Sequence, residues 1–263
     1  MRNLHPLLVG LGCIGLTAPQ APPESLYFLP ADRVSVRVMN EVPPVELAPG
    51  IQVRTVVGPT GSFSIAELHS GTVAPLHHHA REQADIGIDG TLEMRLGSRV
   101  EALEPGAGVV VPPNVAHSIA NRRSGTGTVI EFHTVRRPDL VPPRPAMRFP
   151  ASARAVTIPE RQRLVTRFDN LGNALQTIQG QTCTLRWRRL LSGAPAIEVH
   201  STSPNAELFV YIINGAADLF ASGTVHRVRS GSLIVVPGTE RRVSLRAENG
   251  NTATLAEFVP GRD

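Results

Sequence analysis

Lysine is absent from this chain: all 26 basic residues are arginine, set against 22 acidic ones, for a formal charge of +4 and a sequence pI near 10.0. A nucleic-acid binder would gather such charge into one stripe with aromatic residues among it. Here aromatics make up only 4% of the residues and the arginines are scattered. The nearest approach to a cluster, Arg186, Arg188 and Arg189 in TLRWRRLL, surrounds the single tryptophan, Trp187, which reads as a core residue rather than a platform for bases. Nucleic-acid binding is not expected. Long apolar runs are also missing, and none reaches the roughly 18 residues of a membrane-spanning helix. Cysteine is limited to Cys13 and Cys183.

The first of these cysteines lies in a start, MRNLHPLLVGLGCIGLTAPQAPPES, with one arginine, a short apolar run and then small residues and proline. That is the shape of an export signal, assigned to residues 1–21, and it predicts a periplasmic or secreted protein; a cytoplasmic one follows if the segment is not a signal. Cleavage would leave Cys183 alone, which excludes an internal disulfide in the mature chain.

Helix signals are scarce, and short β-rich runs fill the space instead: RVSVRVM, IQVRTVV, FSIAELH, TLEMRL, GVVVPP and TVIEFHTV, then YIINGAADLF, VHRVR, SLIVVPG, RRVSLRA and TLAEFV. Glycine, proline and asparagine punctuate them at even spacing, which indicates an all-β sandwich or barrel. A proline-rich stretch beginning at Arg136 separates the two series as a linker. The series repeat each other. IDGTLEMRLGSRVEALEPGAGVVVPPN and INGAADLFASGTVHRVRSGSLIVVPGT place Gly90 and Gly215 at equal distances before Pro112 and Pro237, as two copies of one β-domain would.

The first copy is preceded by PLHHHAREQ. Side chains on an extended strand alternate faces, so His77 and His79 share one side while His78 points away with Leu76 and Ala80, neither of them a ligand type. A solvated histidine tract would show the same triplet, but it would not explain the spacing to Gly90 or the VVVPPNVAH passage that brings in His117. The stretch Gly71-x5-His77-x-His79-x3-Gln83-x6-Gly90, followed by Gly106-x-Gly108-Val-Val-Val-Pro112-Pro113-Asn114-x-x-His117-x3-Asn121, closely resembles the two signature motifs of the cupin superfamily.

The resemblance covers the first half well and the second half as a degraded copy, so the chain resembles a bicupin: two tandem jelly-roll barrels, the N-terminal one metal-binding and the C-terminal one degenerate. It implies an N-terminal domain over 22–135, a linker over 136–158 and a C-terminal domain over 159–263. It also implies one divalent ion, of iron, manganese, nickel or zinc, held by His77, His79, Gln83 and His117. Many cupins carry Glu where Gln83 stands, and here Glu82 is one place early. Counting back from Gly90 favours Gln83, which leaves Glu82 to orient an imidazole or to act as an alternative ligand. In the second half the same pattern places His200, Thr202, Glu207 or Leu208, and Arg242 at the ligand positions. A guanidinium repels a cation, so the second barrel is expected to have lost its metal and to pack against the first or form a homodimer face; an anion held by Arg242 and His200 is the alternative.

Asp85 has the inward parity of Gln83 and is the first candidate for a catalytic base or substrate-binding group, against the plain reading of a strand-end carboxylate in water. Glu131 and His133 share one face of a later strand and read as wall or surface residues, as does His69. The resemblance, which extends to cupins acting on unsaturated uronates and to the quercetin-dioxygenase-like group, implies a metal-dependent enzyme of dioxygenase or isomerase/lyase type acting on a small anionic or carbohydrate-derived molecule. A non-catalytic metal- or sugar-binding bicupin is the competing class, and an interaction scaffold with a vestigial site is the third.

Overall fold

The computed structural model describes residues 26–142, 165–168 and 175–260. The expected export signal and most of the expected linker lie outside the described residues. In chain order the strands of the first half are β1 (Ser35–Val38), β2 (Val45–Ala48), β3 (Ile51–Val57), β4 (Ser62–Leu68), β5 (Gln83–Asp89), β6 (Leu92–Leu96), β7 (Arg99–Leu103), β8 (Ala107–Val111), β9 (His117–Ala120) and β10 (Gly127–His133). Those of the second are β11 (Val165–Arg167), β12 (Gln176–Gln179), β13 (Cys183–Leu190), β14 (Ile197–Glu198), β15 (Leu208–Ala221), β16 (Thr224–Arg229), β17 (Ser232–Val236), β18 (Val243–Ala247) and β19 (Ala253–Pro260). The helices with defined bounds among the described residues are two 3-10 turns, Met39–Glu41 and Pro138–Leu140, and among these residues no helix is long and apolar enough to cross a membrane.

In the first half a seven-stranded sheet ordered β11-β8-β5-β10-β4-β3-β2 faces a three-stranded sheet ordered β7-β6-β9. Alternation dictates the packing. Along β6 Leu92, Met94 and Leu96 are buried while Glu93 and Arg95 are exposed, so one face closes on the sheet opposite and the other meets water. The enclosed core is aliphatic, with Ile51, Leu68, Met94, Val109, Val111 and Val129 among its members. The second half is a nine-stranded sheet whose long strand β15 spans both layers: its start pairs with β17 and β19, its end with β16 and β18. The register shifts between Ile212 and Asn214, and Gly215 follows at φ +83°. A Cβ there would lie 1.9 Å from the Thr252 carbonyl oxygen, so only glycine fits the bend. Gly90, at φ +67°, makes the corresponding break between β5 and β6. The paired glycines seen in the repeat are thus the points where each jelly roll folds from one layer to the other, and the all-β tandem architecture is borne out.

The two halves exchange strands. β1, from the N-terminal half, pairs antiparallel with β17 of the second, and β11, from the second, pairs with β8 of the first. Between the halves lies a third core, where the scarce aromatics are concentrated. Phe132 stacks on Phe258 at 5.1 Å and packs tilted on Phe63 at 4.9 Å, with Phe209 and Tyr211 alongside. Trp187 stacks on Phe168 at the margin of this core, in keeping with its reading as a packing residue. Because Phe132 is wholly buried against both halves, Phe132→Ala is expected to lower unfolding stability by about 3–5 kcal/mol. Denaturant unfolding checks this as a fall in midpoint without a change in slope.

Candidate metal centre

The PLHHH segment runs extended beside the strand that carries His117. His77 and His117 form an isolated antiparallel bridge, each backbone N–H donating to the other's carbonyl at 3.0 and 2.8 Å. The Pro-Pro-Asn passage turns the chain back at this point. Asn114 adopts φ +60°, a left-handed conformation asparagine tolerates, and its N–H donates to the His79 carbonyl at 2.7 Å. Two residues of one segment are thereby laced to two of the other, and the imidazoles converge: ring centroids lie 4.3 Å apart for His77 and His117, 4.8 Å for His79 and His117, and 6.1 Å for His77 and His79. One nitrogen from each falls within 4.8 Å of the others, the only such group of three among the described residues. His78 is outside the trio, and Leu76 and Ala80 face solvent, as parity requires.

Hydrogen bonding sets the tautomer of all three rings. His77 Nδ1 lies 2.9 Å from the Pro75 carbonyl oxygen, His117 Nδ1 lies 2.9 Å from that of Val115, and His79 Nδ1 meets that of Arg81. A carbonyl can only accept, so each Nδ1 carries the proton and each Nε2 presents a lone pair. His117 Nε2 is buried with no hydrogen-bond partner. His79 Nε2 faces the Gln83 amide oxygen at 3.0 Å, and two acceptors at that separation suit a shared cation. Burial pulls the His77, His79 and His117 pKa values below the ordinary imidazole value, furthest for His117, where the neighbouring imidazoles add to it. Neutral imidazoles with convergent lone pairs and an amide oxygen form a donor set that fits a divalent ion, and because none carries charge the ion would keep its full double positive charge.

Asp85 does not face water; it is buried and its Oδ1 accepts from Gln83 Nε2 at 2.8 Å. Across the ladder it stands opposite Glu131, and Gln83 opposite His133. Burial and the Glu131 carboxylate push Asp85 well above the carboxylate range. Burial also raises Glu131, against the pull of the Arg137 guanidinium and the His77 and His79 rings. His133 Nε2 is buried without a hydrogen-bond partner, 3.6 Å from Glu131 Oε2. Arg137, at the end of the loop leaving β10, grips Asp139 through Nε and Nη2 and lines the same cavity. Sequence reasoning places Glu131 and His133 in a wall and passes over Arg137. The wall reading is correct in topology, but the wall they occupy is that of a cavity of about 50 Å³ shared with His77, His117, Gln83 and Asp85. The available signal is the shared parity of Glu131 and His133 in TVIEFH.

Glu82 is not brought to this site. It precedes Gln83 on an extended segment and so points to the other face, where its carboxylate accepts hydrogen bonds from the backbone N–H groups of Gln181 and Thr182, both at 2.6 Å, and from the Thr182 hydroxyl at 2.9 Å. The expectation that it orients an imidazole or serves as an alternative ligand is corrected by that partnership with the second half.

The family model for the cupin domain matches residues 64–133, which contain all four expected ligands. By structure the chain is similar to AerE from Microcystis aeruginosa, at 14% identity and a TM-score of 0.62 over 84% of this chain and 97% of that one. Protein YlbA from E. coli matches at 12% identity and 0.64 over 89% and 94%. The oxalate decarboxylase of Bacillus subtilis, a protein with Mn(II) centres, matches at 14% identity and 0.65 over 92% of this chain and 80% of that one. Residues 64–133 carry a cupin domain, and the described structure as a whole shares the cupin fold. No curated protein matches it by sequence.

The ladders of the second half parallel those of the first closely enough to place its residues. Ala84 pairs with Phe132 as Phe209 pairs with Phe258, so Glu207 corresponds to Glu82, Leu208 to Gln83 and Glu257 to Glu131. Leu208 is a core residue, while His200, Thr202 and Arg242 are exposed. Glu257 is buried beside Arg188, whose Nε lies 2.8 Å from its Oε1 without hydrogen-bond alignment, and Arg186 at 3.6 Å. Guanidinium charge from β13 thus stands by the counterpart of the carboxylate that the first half keeps in its cavity.

Proposed function

We propose that this cupin-fold protein is a metal-dependent enzyme of dioxygenase or isomerase/lyase type, acting on a small anionic substrate in the cavity of its N-terminal barrel. The observation that supports it is the set of polar groups beyond the ligands. Asp85, Glu131, His133 and Arg137 share a cavity with the imidazoles, where a barrel that merely stored an ion would be filled with apolar side chains. A divalent ion in this donor set supplies Lewis acidity to a bound oxygen atom and, where it is redox-active, an electron. The chain's own residues do the rest. Ile51, Val53, Leu68, Met94 and Ile119 exclude water from the remaining wall, Arg137 offers the one guanidinium of the cavity lining to an anionic group, and the Asp85 carboxyl holds a proton next to the ligand amide while Glu131 stands opposite as acceptor.

The test is metal analysis of protein purified without added metals, followed by a turnover screen of small carboxylates and uronates in air and under anaerobic conditions. Turnover by the loaded protein supports the reading, and dependence on air separates oxygenase from isomerase or lyase. A bound ion with no turnover across the screen moves the protein to the storage and sensing class, and no ion in the unmodified protein sinks the site. With a substrate in hand, Arg137→Gln is expected to raise KM about 10- to 100-fold with little change in kcat, since it removes a charge-assisted contact made equally in the ground and transition states. Initial-rate kinetics check that split.

A further inference from the structure

The carboxylate of Glu82 has a counterpart. Glu207, the equivalent residue of the second half, accepts hydrogen bonds from the N–H groups of Thr60, at 3.0 Å, and Gly61, at 2.8 Å, and from the Thr60 hydroxyl. Glu82 grips the turn at 180–182 and Glu207 grips the turn at 58–61, each reaching across to the opposite half over roughly 100 or more positions of sequence. Both turns begin with a glycine that lets the carboxylate approach. A Cβ on Gly180 would sit 2.7 Å from Glu82 Oε2, and one on Gly58 would sit 2.3 Å from Glu207 Oε1. The pair is a reciprocal clamp between the halves.

The two clamps differ in the residue next along the strand. Glu207 is succeeded by Leu208, a core residue; Glu82 is succeeded by Gln83, whose amide oxygen faces His79. Consecutive residues of an extended strand point to opposite faces, so a side chain pinned on one face fixes the rotation and height of its successor on the other. The backbone is held here as well, because the Glu82 carbonyl accepts from the N–H of Thr134 at 3.3 Å and its hydroxyl at 3.1 Å, beside His133. We propose that Glu82 is a positioning residue for the metal centre: anchored on the second half, it sets Gln83 at the ion, so that the metal-free barrel completes the site of the metal-binding one. The proposal rests on His77, His79, Gln83 and His117 forming one metal site.

Co(II) titration of the full chain, read by its visible spectrum and by competition with a chelator, tests it with Glu207→Gln as the matched control. Both E82Q and E207Q should lower the unfolding midpoint by similar amounts, since each weakens one clamp. Only E82Q should weaken Co(II) binding, by about 10- to 100-fold, and shift the Co(II) spectrum as the amide leaves its position. Thr182→Val, which removes one clamp hydrogen bond from the far side, should weaken Co(II) binding about threefold to tenfold. Equal affinity of the parent and E82Q, or equal losses in E82Q and E207Q, overturns the proposal. If E82Q does not fold, T182V decides: weakened binding supports the clamp and unchanged binding overturns it. A parent chain that binds no Co(II) overturns the metal site and this proposal together, whereas a parent that binds with an unaffected E82Q overturns this proposal alone.

Discussion

His117→Ala is expected to abolish stoichiometric binding of a divalent ion while leaving the protein folded. Losing an outer partner of a ligand costs about 10- to 100-fold in affinity, and His117 is a direct donor, so its loss should exceed that range. The fold should survive because the ligating nitrogen makes no hydrogen bond in the metal-free protein, and the one bond lost with the ring is that of Nδ1 to the Val115 carbonyl. Nε2 is buried without a hydrogen-bond partner, and removing it relieves a buried polar atom even as the lost ring leaves a space. Metal analysis of the purified variant beside its thermal unfolding curve checks both halves of the expectation. In the parent protein the ion should be retained as the pH falls through the ordinary imidazole range. Burial lowers the pKa values of His77, His79 and His117, so their lone pairs stay free of protons below pH 6.5, and release should come only in more acid solution.

Asp85→Asn is expected to lower kcat by about 10²- to 10⁴-fold, the contribution typical of a positioned acid or base, while metal affinity changes little. An asparagine oxygen can still accept the Gln83 amide N–H that Asp85 accepts at 2.8 Å, so the ligand keeps its support. What disappears is the carboxyl's capacity to hold and pass a proton opposite Glu131. Single-turnover and steady-state rates of the loaded variant, with its Co(II) titration, separate the two effects. Undiminished kcat with intact metal would remove Asp85 from the reaction.

The histidine trio is legible in the sequence partly through local geometry and partly through the motif resemblance that brings in the distant His117. Strand parity selects His77 and His79 over His78, and the turn that carries Asn114 into the left-handed region returns His117 to them. The paired glycines announce the repeat because each marks a bend between layers. Glu82 is misplaced by sequence reasoning because its partners lie in a turn 99 and 100 positions away, and nothing near it signals that it faces outward except the same alternation that puts Gln83 inward. Arg137 escapes notice because a loop residue has no period to count, and Asp85 can be ranked only by parity, which does not distinguish a dry cavity from a wet strand end. The exchange of β1 and β11 between the halves lies beyond reach, since such short strands pair wherever an open edge is offered.

That exchange governs the order in which the molecule can be made. During synthesis β1 leaves the ribosome early, yet its neighbour β17 is among the last strands to emerge, and β8 must wait for Val165–Arg167 before its outer edge is covered. The nascent N-terminal barrel therefore passes through a stage with an unpaired β8 edge and a detached leading strand, and pairings of such long sequence separation form slowly. A chain truncated before β11 would present both vacancies to its neighbours, so shortened forms of this protein should associate with one another through those edges.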